Sequence, residues 1–378
     1  MNSPFQFGKV VGSSAFTDRR SETKHLLSNF NNQIHTIILS PRRWGKTSLV
    51  NKAGSIFSRE NKSHHVCFLD LFNVRTEQEF YNYFAKEVIK STSTKWQEWA
   101  ETAKRFLSHL KLTLKFSTDP ASDFDLGLDY TDSKQDFKEV LNLGEQIAKE
   151  KKLKLLICID EFQSIAGFDN HEEFQRKLRA NWQHHQHVVY CLYGSKRHML
   201  MEFFEKTEMP FYRFGEVMYL GKIVKEDWIR FITKKFEETN KKISAGEAGQ
   251  IADLMQCHSY YVQQLAHIVW VNTDKKVTAE IFTKSVTDLL DHNSILFEQQ
   301  LDGLSNTQVN FLRAMAAGIT DNFSSKEIID KYNFGTSANV QRILEALQNK
   351  EIIDRLSGRI ELMDPAFLLW LKRKFTSS

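Results

Sequence analysis

Short apolar runs alternate with helix-compatible segments over the first 222 residues of the chain. Each run is long enough for one buried strand, and the segments between the runs place apolar residues about one helical turn apart. Strands separated by helices pair in parallel, and helices then cover both faces of the sheet. The alternation therefore predicts an α/β fold, with five strand segments: IHTIIL, HHVCFLDL, KLLICIDEF, HHVVYCLYGS and VMYL.

The totals are typical of a globular protein of two or three domains. The chain has 378 residues, of which 41% are hydrophobic and 26% charged, and its net charge is +4. Such a mild positive charge permits contact with nucleic acid but does not require it. No apolar run is long enough to span a bilayer, and the first residues lack the pattern of a secretion signal, so we expect a cytoplasmic protein without a membrane partner.

The periodicity of the chain changes twice after the α/β region. From residue 223 the pattern is helical, and from about residue 301 three short helices precede DRLSGRIELMDP. Three helices followed by a hairpin are typical of a winged helix-turn-helix. We predict three domains: an α/β core at 1–222, a helical lid at 223–300 and a winged helix at 301–378. The core would contain an insertion at 91–135, in which LTLKF and FDLGLDY form a hairpin.

A candidate phosphate loop, SPRRWGKTSLV, follows the first apolar run at residues 40–50. Gly45 lets the backbone approach a phosphate, Lys46 can reach the β- and γ-phosphates, and the Thr47 hydroxyl can ligate Mg²⁺. Ser40 stands where the usual loop begins with Gly, and a GKT triplet alone is equally compatible with a helix start and a solvated lysine. For Arg42 and Arg43, the two arginines of this segment, a solvated basic patch is the favoured alternative. The candidate phosphate-binding residues are Arg42, Arg43, Trp44, Gly45, Lys46, Thr47 and Ser48.

Two carboxylates directly follow the strongest predicted buried strand, LLICIDEF. Asp160 is predicted to hold Mg²⁺ through water and, with Thr47, to form the metal site, while Glu161 orients and polarises the attacking water. A carboxylate pair at the end of a buried strand is costly unless it faces a cleft or a cation. This pair therefore favours a P-loop nucleoside triphosphatase core, with Lys46, Asp160 and Glu161 as catalytic residues.

Two further residues complete the predicted catalytic set. Ser195 ends the next strand, at the edge where open parallel sheets bind ligands, and could sense the γ-phosphate or its water. A simple turn is the alternative for this residue. Arg213 precedes the fifth strand and could neutralise charge in the transition state of phosphoryl transfer. A surface salt bridge explains Arg213 equally well.

Taken in chain order, these motifs resemble those of the archaeal-type ATPases, P-loop proteins close to the STAND branch of the AAA+ ATPases. The resemblance runs from about Phe16 to the end of the sequence. FTDRRSE is similar to the family's FxxRxxE box, with Glu22 as its last residue, and implies adenine-side contacts from Phe16 and Arg19. SPRRWGKTSL is similar to GPRRxGKTSL. VCFLDLF and LLICIDEFQ are similar to the second strand and the Walker B strand, and YGS with PFYRFG is similar to the sensor-1 segment and its downstream arginine.

The helical part of the sequence carries a further similarity. CHSYYVQQLAHIVW resembles the lid segment GHPYYVQQLA, which implies a nucleotide contact from His258. Cys257 and Ser259 replace the Gly and Pro of that corner. A histidine with only a structural bond at a helix start is the alternative. The tail, from FLRAMAAG to DPAFLLWLKRKF, resembles the winged helix that ends many members of the family.

The resemblance implies an ATP-binding, Mg²⁺-dependent ATPase that hydrolyses slowly and acts as a nucleotide-driven conformational switch. One alternative is a DNA-binding regulator, or a mobile-element or defence-associated protein, that acts through its winged helix with nucleotide as ligand only. Another is a scaffold that binds nucleotide without hydrolysis. Candidate partners are ATP and ADP, DNA, and a protein partner or further copies of the chain. The basic residues available for DNA are Lys326, Lys331, Arg342, Lys350, Arg355, Arg359, Lys372, Arg373 and Lys374.

Overall fold

The computed structural model describes residues 2–8, 19–93, 98, 101–102, 105–106, 111–115, 125–129, 134–356 and 359–376. Its strands are β1 (Thr36–Leu39), β2 (His64–Asp70), β3 (Lys111–Lys115), β4 (Asp125–Asp129), β5 (Lys154–Asp160), β6 (Val188–Tyr193), β7 (Glu216–Tyr219), β8 (Ile353–Leu356) and β9 (Arg359–Leu362).

The α-helices whose bounds lie within the described residues are α1 (Arg20–Asn31), α2 (Lys46–Glu60), α3 (Glu77–Thr92), α4 (Lys134–Lys151), α5 (His171–Trp182), α6 (Arg197–Glu205), α7 (Lys225–Glu237), α8 (Ala245–Leu254), α9 (Ser259–Asn272), α10 (Ala279–Asp302), α11 (Asn306–Ala316), α12 (Lys326–Tyr332), α13 (Ser337–Asn349) and α14 (Pro365–Thr376). Two 3₁₀ helices lie at Leu71–Asn73 and Phe162–Gly167. None of these helices is both long and apolar enough to cross a lipid bilayer.

The chain forms two compact units, Arg19–Gly221 and Lys222–Ser378 together with Met1–Asp18. The first unit contains a five-stranded sheet in the order β2-β5-β6-β1-β7. All four strand pairs are parallel, as the alternation of strands and helices predicts. The predicted α/β fold is therefore confirmed.

The central strands of the sheet are almost entirely buried. Every residue of β6 is buried, as are the five inner residues of β5, because helices cover both faces of the sheet. Aromatic side chains fill the space between sheet and helices, and Trp182 of α5 stacks on Tyr190 of β6 with ring centroids 4.2 Å apart. The carboxyl ends of parallel strands lie at one edge of the sheet, so the residues that follow β1, β2, β5 and β6 approach each other there.

The predicted insertion at 91–135 is described only in part. Strands β3 and β4 form an antiparallel pair in which Lys111 lies opposite Asp129, so the predicted hairpin is confirmed. The intervening residues 116–124, and several residues between 94 and 110, lie outside the described part of the chain.

The second unit consists of helices α7 to α10 followed by the predicted winged helix. Helices α11, α12 and α13 precede the antiparallel pair β8–β9, and α14 follows it. Phe297 of α10 packs against Phe367 and Trp370 of α14, with ring centroids 5.2 and 5.8 Å away. The helical part and the winged helix thus share one hydrophobic core. The boundary predicted at residue 300 falls in the last turn of α10.

Residues 2–8 also belong to the second unit. Phe5 is 4% exposed, and its ring lies 6.1 Å from Phe231 and 5.8 Å from Phe236. The backbone N–H of Gln6 donates to the Gln263 side chain at 3.0 Å. Residues 2–8 and 222–376 therefore contribute to one core, although the whole first unit lies between them in the sequence.

Candidate nucleotide-binding site

The loop between β1 and α2 has the backbone geometry that its sequence suggests. Gly45 lies at φ 92°, in the left-handed region that glycine adopts without steric cost, and it immediately precedes α2. Ser40 is fully buried and does not have a positive φ, and its hydroxyl donates to the carbonyl of Pro41 at 3.1 Å. The position therefore does not require glycine, which explains how serine is accommodated there.

Lys46 and the first turn of α2 create a local preference for an anion. The Lys46 Nζ donates to the carbonyls of Ser40 and Pro41 at 3.0 and 2.8 Å, so its positive charge lies over the loop. The first N–H groups of a helix have no partner within the helix, and the helix dipole adds partial positive charge at the same end. A phosphate is the type of ligand that such a loop and helix start bind.

The Thr47 hydroxyl donates a 2.7 Å hydrogen bond to Oδ2 of Asp160. Oδ1 of the same carboxylate accepts the N–H of Glu161 at 2.8 Å. Burial raises the pKa of Asp160 to about 6, and the bond from Thr47 opposes this shift. The carboxylate is therefore held in a position where its negative charge is costly without a cation nearby.

The Thr47 and Asp160 oxygens fit a magnesium ion. Mg²⁺ prefers oxygen ligands, and in nucleotide sites it usually takes one or two protein oxygens together with phosphate oxygens and waters. Among the residues that the structure describes, no group of three or more His, Cys, Asp or Glu side chains could hold a metal alone. A metal bound here would need ligands from a nucleotide, and it would neutralise charge on the phosphates.

Glu161 directly follows Asp160 and has φ 51°. Its side chain is hydrogen-bonded by Ser195, which follows the neighbouring strand β6. Its Oε2 accepts hydrogen bonds from the Ser195 hydroxyl at 2.9 Å and the Ser195 N–H at 3.4 Å. The amide nitrogen of Gln163 donates to the same oxygen. The structure thus brings Thr47, Asp160, Glu161 and Ser195 together at the carboxyl edge of the sheet.

The box ahead of the phosphate loop is physically joined to it. Arg19 is 6% exposed, and its guanidinium donates to Glu22 at 2.7 Å and to the carbonyl of Trp44 at 3.2 Å. Burial acts to raise the pKa of Glu22, but hydrogen bonds from Arg19 and Ser21 keep that pKa below its ordinary value. Glu22 thus orients the Arg19 guanidinium, which in turn binds the phosphate loop at the Trp44 carbonyl. Phe16, the other predicted adenine-side residue, lies outside the described residues.

The remaining predicted loop residues differ in exposure. Trp44 and Ser48 are buried, whereas Arg42 and Arg43 are exposed.

Arg213, the last of the predicted catalytic residues, makes no contact with the acid pair. Its side chain is exposed, and within the described part of the chain its guanidinium lies over the Tyr212 ring, 5.2 Å from the ring centroid.

His258 lies in the second unit, where it immediately precedes α9. It is 4% exposed, and its ring centroid lies 5.0 Å from that of Tyr261. The preceding residue, Cys257, has φ 55°, a left-handed value that favours glycine. The structure therefore shows why a glycine suits this corner, and the chain holds a cysteine in the same conformation.

Two residues near the acid pair, Asp70 and Gln163, are not among the residues predicted from the sequence. Asp70 ends β2 in register with Asp160 at the end of β5. It lines a cleft of about 400 Å³ with Asn73, Val74, Glu79 and Tyr83. The signal for Asp70 was an acidic residue at a strand end, the same signal that identified Asp160. Gln163 had no such signal, because nothing in its spacing indicates which way the amide points.

Two family models match this chain. The model of a family described as an ATPase domain predominantly from Archaea matches residues 16–265. A model described as a probable winged helix domain matches residues 295–373. A comparison with curated proteins gives no match.

Solved structures show the same fold at low sequence identity. The Walker-type ATPase of Pyrococcus abyssi is similar with a TM-score of 0.65 and 21% identity, over 95% of this chain and 97% of that one. The ORC2 protein of Aeropyrum pernix, in ADPNP–ADP complexes, gives a TM-score of 0.59 and 13% identity over 99% of both chains. The family match covers well over half of the sequence and includes the phosphate loop and the acid pair, so this chain belongs to the family of ATPase domains found predominantly in Archaea and has a C-terminal winged helix domain.

Proposed function

We propose that the protein binds ATP with Mg²⁺ at the loop 40–48 and hydrolyses it slowly. The observation that carries the proposal is the 2.7 Å hydrogen bond between Thr47 and Asp160. It joins the phosphate loop to the strand-end carboxylate that a shared metal requires, with Lys46 one residue away. The family match supports nucleotide binding by the same loop.

Each residue of the site has a role in this proposal. Lys46 and the first turn of α2 bind the phosphates, while Thr47 and Asp160 hold Mg²⁺, which stabilises charge on the phosphates. Glu161 accepts a hydrogen bond from the attacking water and orients it. Ser195 holds Glu161, and Arg213 would act on the transition state only after a movement that brings it to the phosphates.

An ATP hydrolysis assay with matched variants tests the proposal. Glu161→Gln is expected to lower turnover by about a hundredfold or more, because it removes the base while it keeps the shape. Lys46→Ala is expected to weaken ATP binding. Lys62 is exposed in the turn after the same helix, so Lys62→Ala removes an equal charge as a control. Normal ATP affinity in Lys46→Ala would contradict the proposed loop, and Mg²⁺-independent turnover would contradict the metal site.

The proposal also includes a nucleotide-driven switch of the STAND type. It rests on the division of the chain into two compact units and on the predicted parts 1–222, 223–300 and 301–378. A nucleotide shifts such an equilibrium only if it binds one arrangement more tightly than the other. Small-angle X-ray scattering with ADP and with a nonhydrolysable ATP analogue tests the switch. Identical curves in both states would exclude it.

DNA binding through the winged helix is a second candidate, because all nine basic residues predicted for it are exposed. Some of them already have partners within the unit: Arg373 pairs with Asp291 at 2.8 Å, and Lys374 lies 4.0 Å from Glu298. Affinity for duplex DNA measured against salt concentration tests this candidate. Phosphate contacts require affinity to fall as salt rises, so a flat dependence would exclude it.

A further inference from the structure

The carboxylate of Glu161 is anchored through one of its two oxygens. Oε2 accepts hydrogen bonds from three donors, namely the Ser195 hydroxyl, the Ser195 N–H and the amide of Gln163. Among the described residues, Oε1 makes no hydrogen bond. A residue that orients a water needs one oxygen with a free lone pair and a fixed direction. This arrangement supplies both.

The orientation of the Gln163 amide follows from its neighbours. The side chain is 4% exposed, its nitrogen donates to Glu161, and its oxygen has no hydrogen-bond partner among the described residues. Turning the amide over would place its carbonyl oxygen against a carboxylate oxygen, and two acceptors repel each other. A buried oxygen without a partner is costly, so the structure retains this amide at a price in stability.

Gly194 leaves the space that the Gln163 amide occupies. A Cβ placed on Gly194 would lie 1.9 Å from the Gln163 Oε1 and 3.2 Å from the Cα of Glu161. Any other residue at 194 would therefore push the amide away from Glu161. The space at Gly194, directly after β6, and the amide of Gln163, in the 3₁₀ helix Phe162–Gly167 after β5, therefore act together.

We propose that Gln163 is a positioning residue for Glu161, that Gly194 gives its amide room, and that together they present Oε1 of Glu161 to the attacking water. The inference rests on the proposed hydrolysis. Gln163 and Gly194 lie within the family-like segments LLICIDEFQ and YGS, but neither the resemblance nor the comparisons give either residue a role. Gln163 acts through Glu161 and not on the nucleotide, so its loss should change turnover and not affinity.

Turnover and ATP affinity measured separately in three variants test the inference. Gln163→Leu removes the donor and also the unpartnered oxygen, so we expect a melting temperature equal to or above that of the wild type. Its turnover should fall by about tenfold to a hundredfold, which is the range expected when a reacting group is misplaced, with the ATP dissociation constant within about twofold. Gly194→Ala should give a similar loss, and the double variant should lose little more than either single variant.

Gln175→Leu is the matched control. Gln175 is fully buried in α5, its Oε1 also has no partner among the described residues, and its amide nitrogen lies 3.4 Å from His171. Equal turnover losses in the Gln163 and Gln175 variants would overturn the inference, as would wild-type turnover in Gln163→Leu. Faster turnover in that variant would also overturn it and show that Gln163 restrains Glu161. Absence of Glu161-dependent turnover in the wild type would instead overturn the proposed hydrolysis, and the inference with it.

Discussion

Thr47 and Asp160 are 113 positions apart in the sequence, and the hydroxyl of one donates directly to the carboxylate of the other. Burial raises the pKa of that carboxyl to about 6, above its ordinary 3.8. The folded protein therefore binds the proton more tightly than the unfolded chain does. The contribution of Asp160 to the stability of the folded protein is therefore greatest below pH 4, and it is lost as the pH rises through 6.

Asp160→Asn should therefore stabilise the protein without nucleotide at pH 8 and abolish its activity. The amide oxygen can accept from the Glu161 N–H while the NH2 group donates to the Thr47 hydroxyl, and the side chain carries no charge into a buried position. We expect the free energy of unfolding to rise by about 1 to 2 kcal/mol, somewhat less than the full shift implies. Urea denaturation at pH 8 and at pH 4 measures this, and the gain should be absent at pH 4. A variant less stable than the wild type at pH 8 would show that neighbouring groups already compensate the charge of Asp160.

Ser40→Gly should not improve nucleotide binding. Ser40 does not have a positive φ, and its hydroxyl is bonded within the loop, so glycine offers no conformational advantage. We expect the ATP dissociation constant to stay within about twofold, and the protein to lose about 0.5 to 1 kcal/mol of stability through the added freedom of the unfolded chain. Isothermal titration calorimetry with an ATP analogue measures the first quantity. A tenfold gain in affinity would show that serine distorts the loop.

Cys257→Gly should stabilise the second unit. The left-handed backbone at Cys257 costs a side-chain-bearing residue about 1 kcal/mol, part of which is offset by the greater freedom of glycine in the unfolded chain. We expect a gain of about 0.5 kcal/mol in chemical denaturation. Cys257→Ala removes the thiol but keeps the strain, so it serves as the control. Equal gains in both variants would place the effect in the thiol and not in the backbone.

Acid should destabilise the first unit through His35 and His185. Burial lowers the pKa of both imidazoles from 6.5 to about 4; His185 and Arg179 add to the shift at His35, whereas Glu145 opposes it at His185. The unfolded chain binds these protons first, so stability that is present above pH 6.5 is lost as the pH falls toward 4.

His35→Asn should reduce that loss. The asparagine oxygen can replace the Nδ1 that accepts from the backbone of Tyr190, and it does not titrate. Melting temperatures of the variant and the wild type between pH 7.5 and 4.5 measure the difference. Parallel curves would show that His35 contributes nothing to the acid sensitivity. His25 is roughly half exposed and lies beside Glu216, so His25→Asn is the control.

The sequence predicted the strands and the acid pair because both depend on local patterns. An apolar run such as LLICID predicts a buried strand wherever it lies in the sequence. The predicted Mg²⁺ site requires Asp160 to approach Thr47. The order of strands in the sheet depends on long-range packing and was not predicted. The bond from Arg19 to the Trp44 carbonyl and the place of Gln163 beside Gly194 depend on directions of side chains, which spacing does not encode. The left-handed conformation of Cys257 was indicated only by the resemblance, in which a glycine occupies this position.

Phe5 and its neighbours fill a hydrophobic face whose other side chains come from beyond residue 222. A fragment beginning at residue 222 would expose the rings of Phe231 and Phe236 to water, and it would tend to aggregate unless residues 2–8 were supplied as a peptide or fused to its other end. The ATPase unit is thus an insert tethered at both ends to the same helical body, so any rotation of one unit against the other must be accommodated by two connections at once.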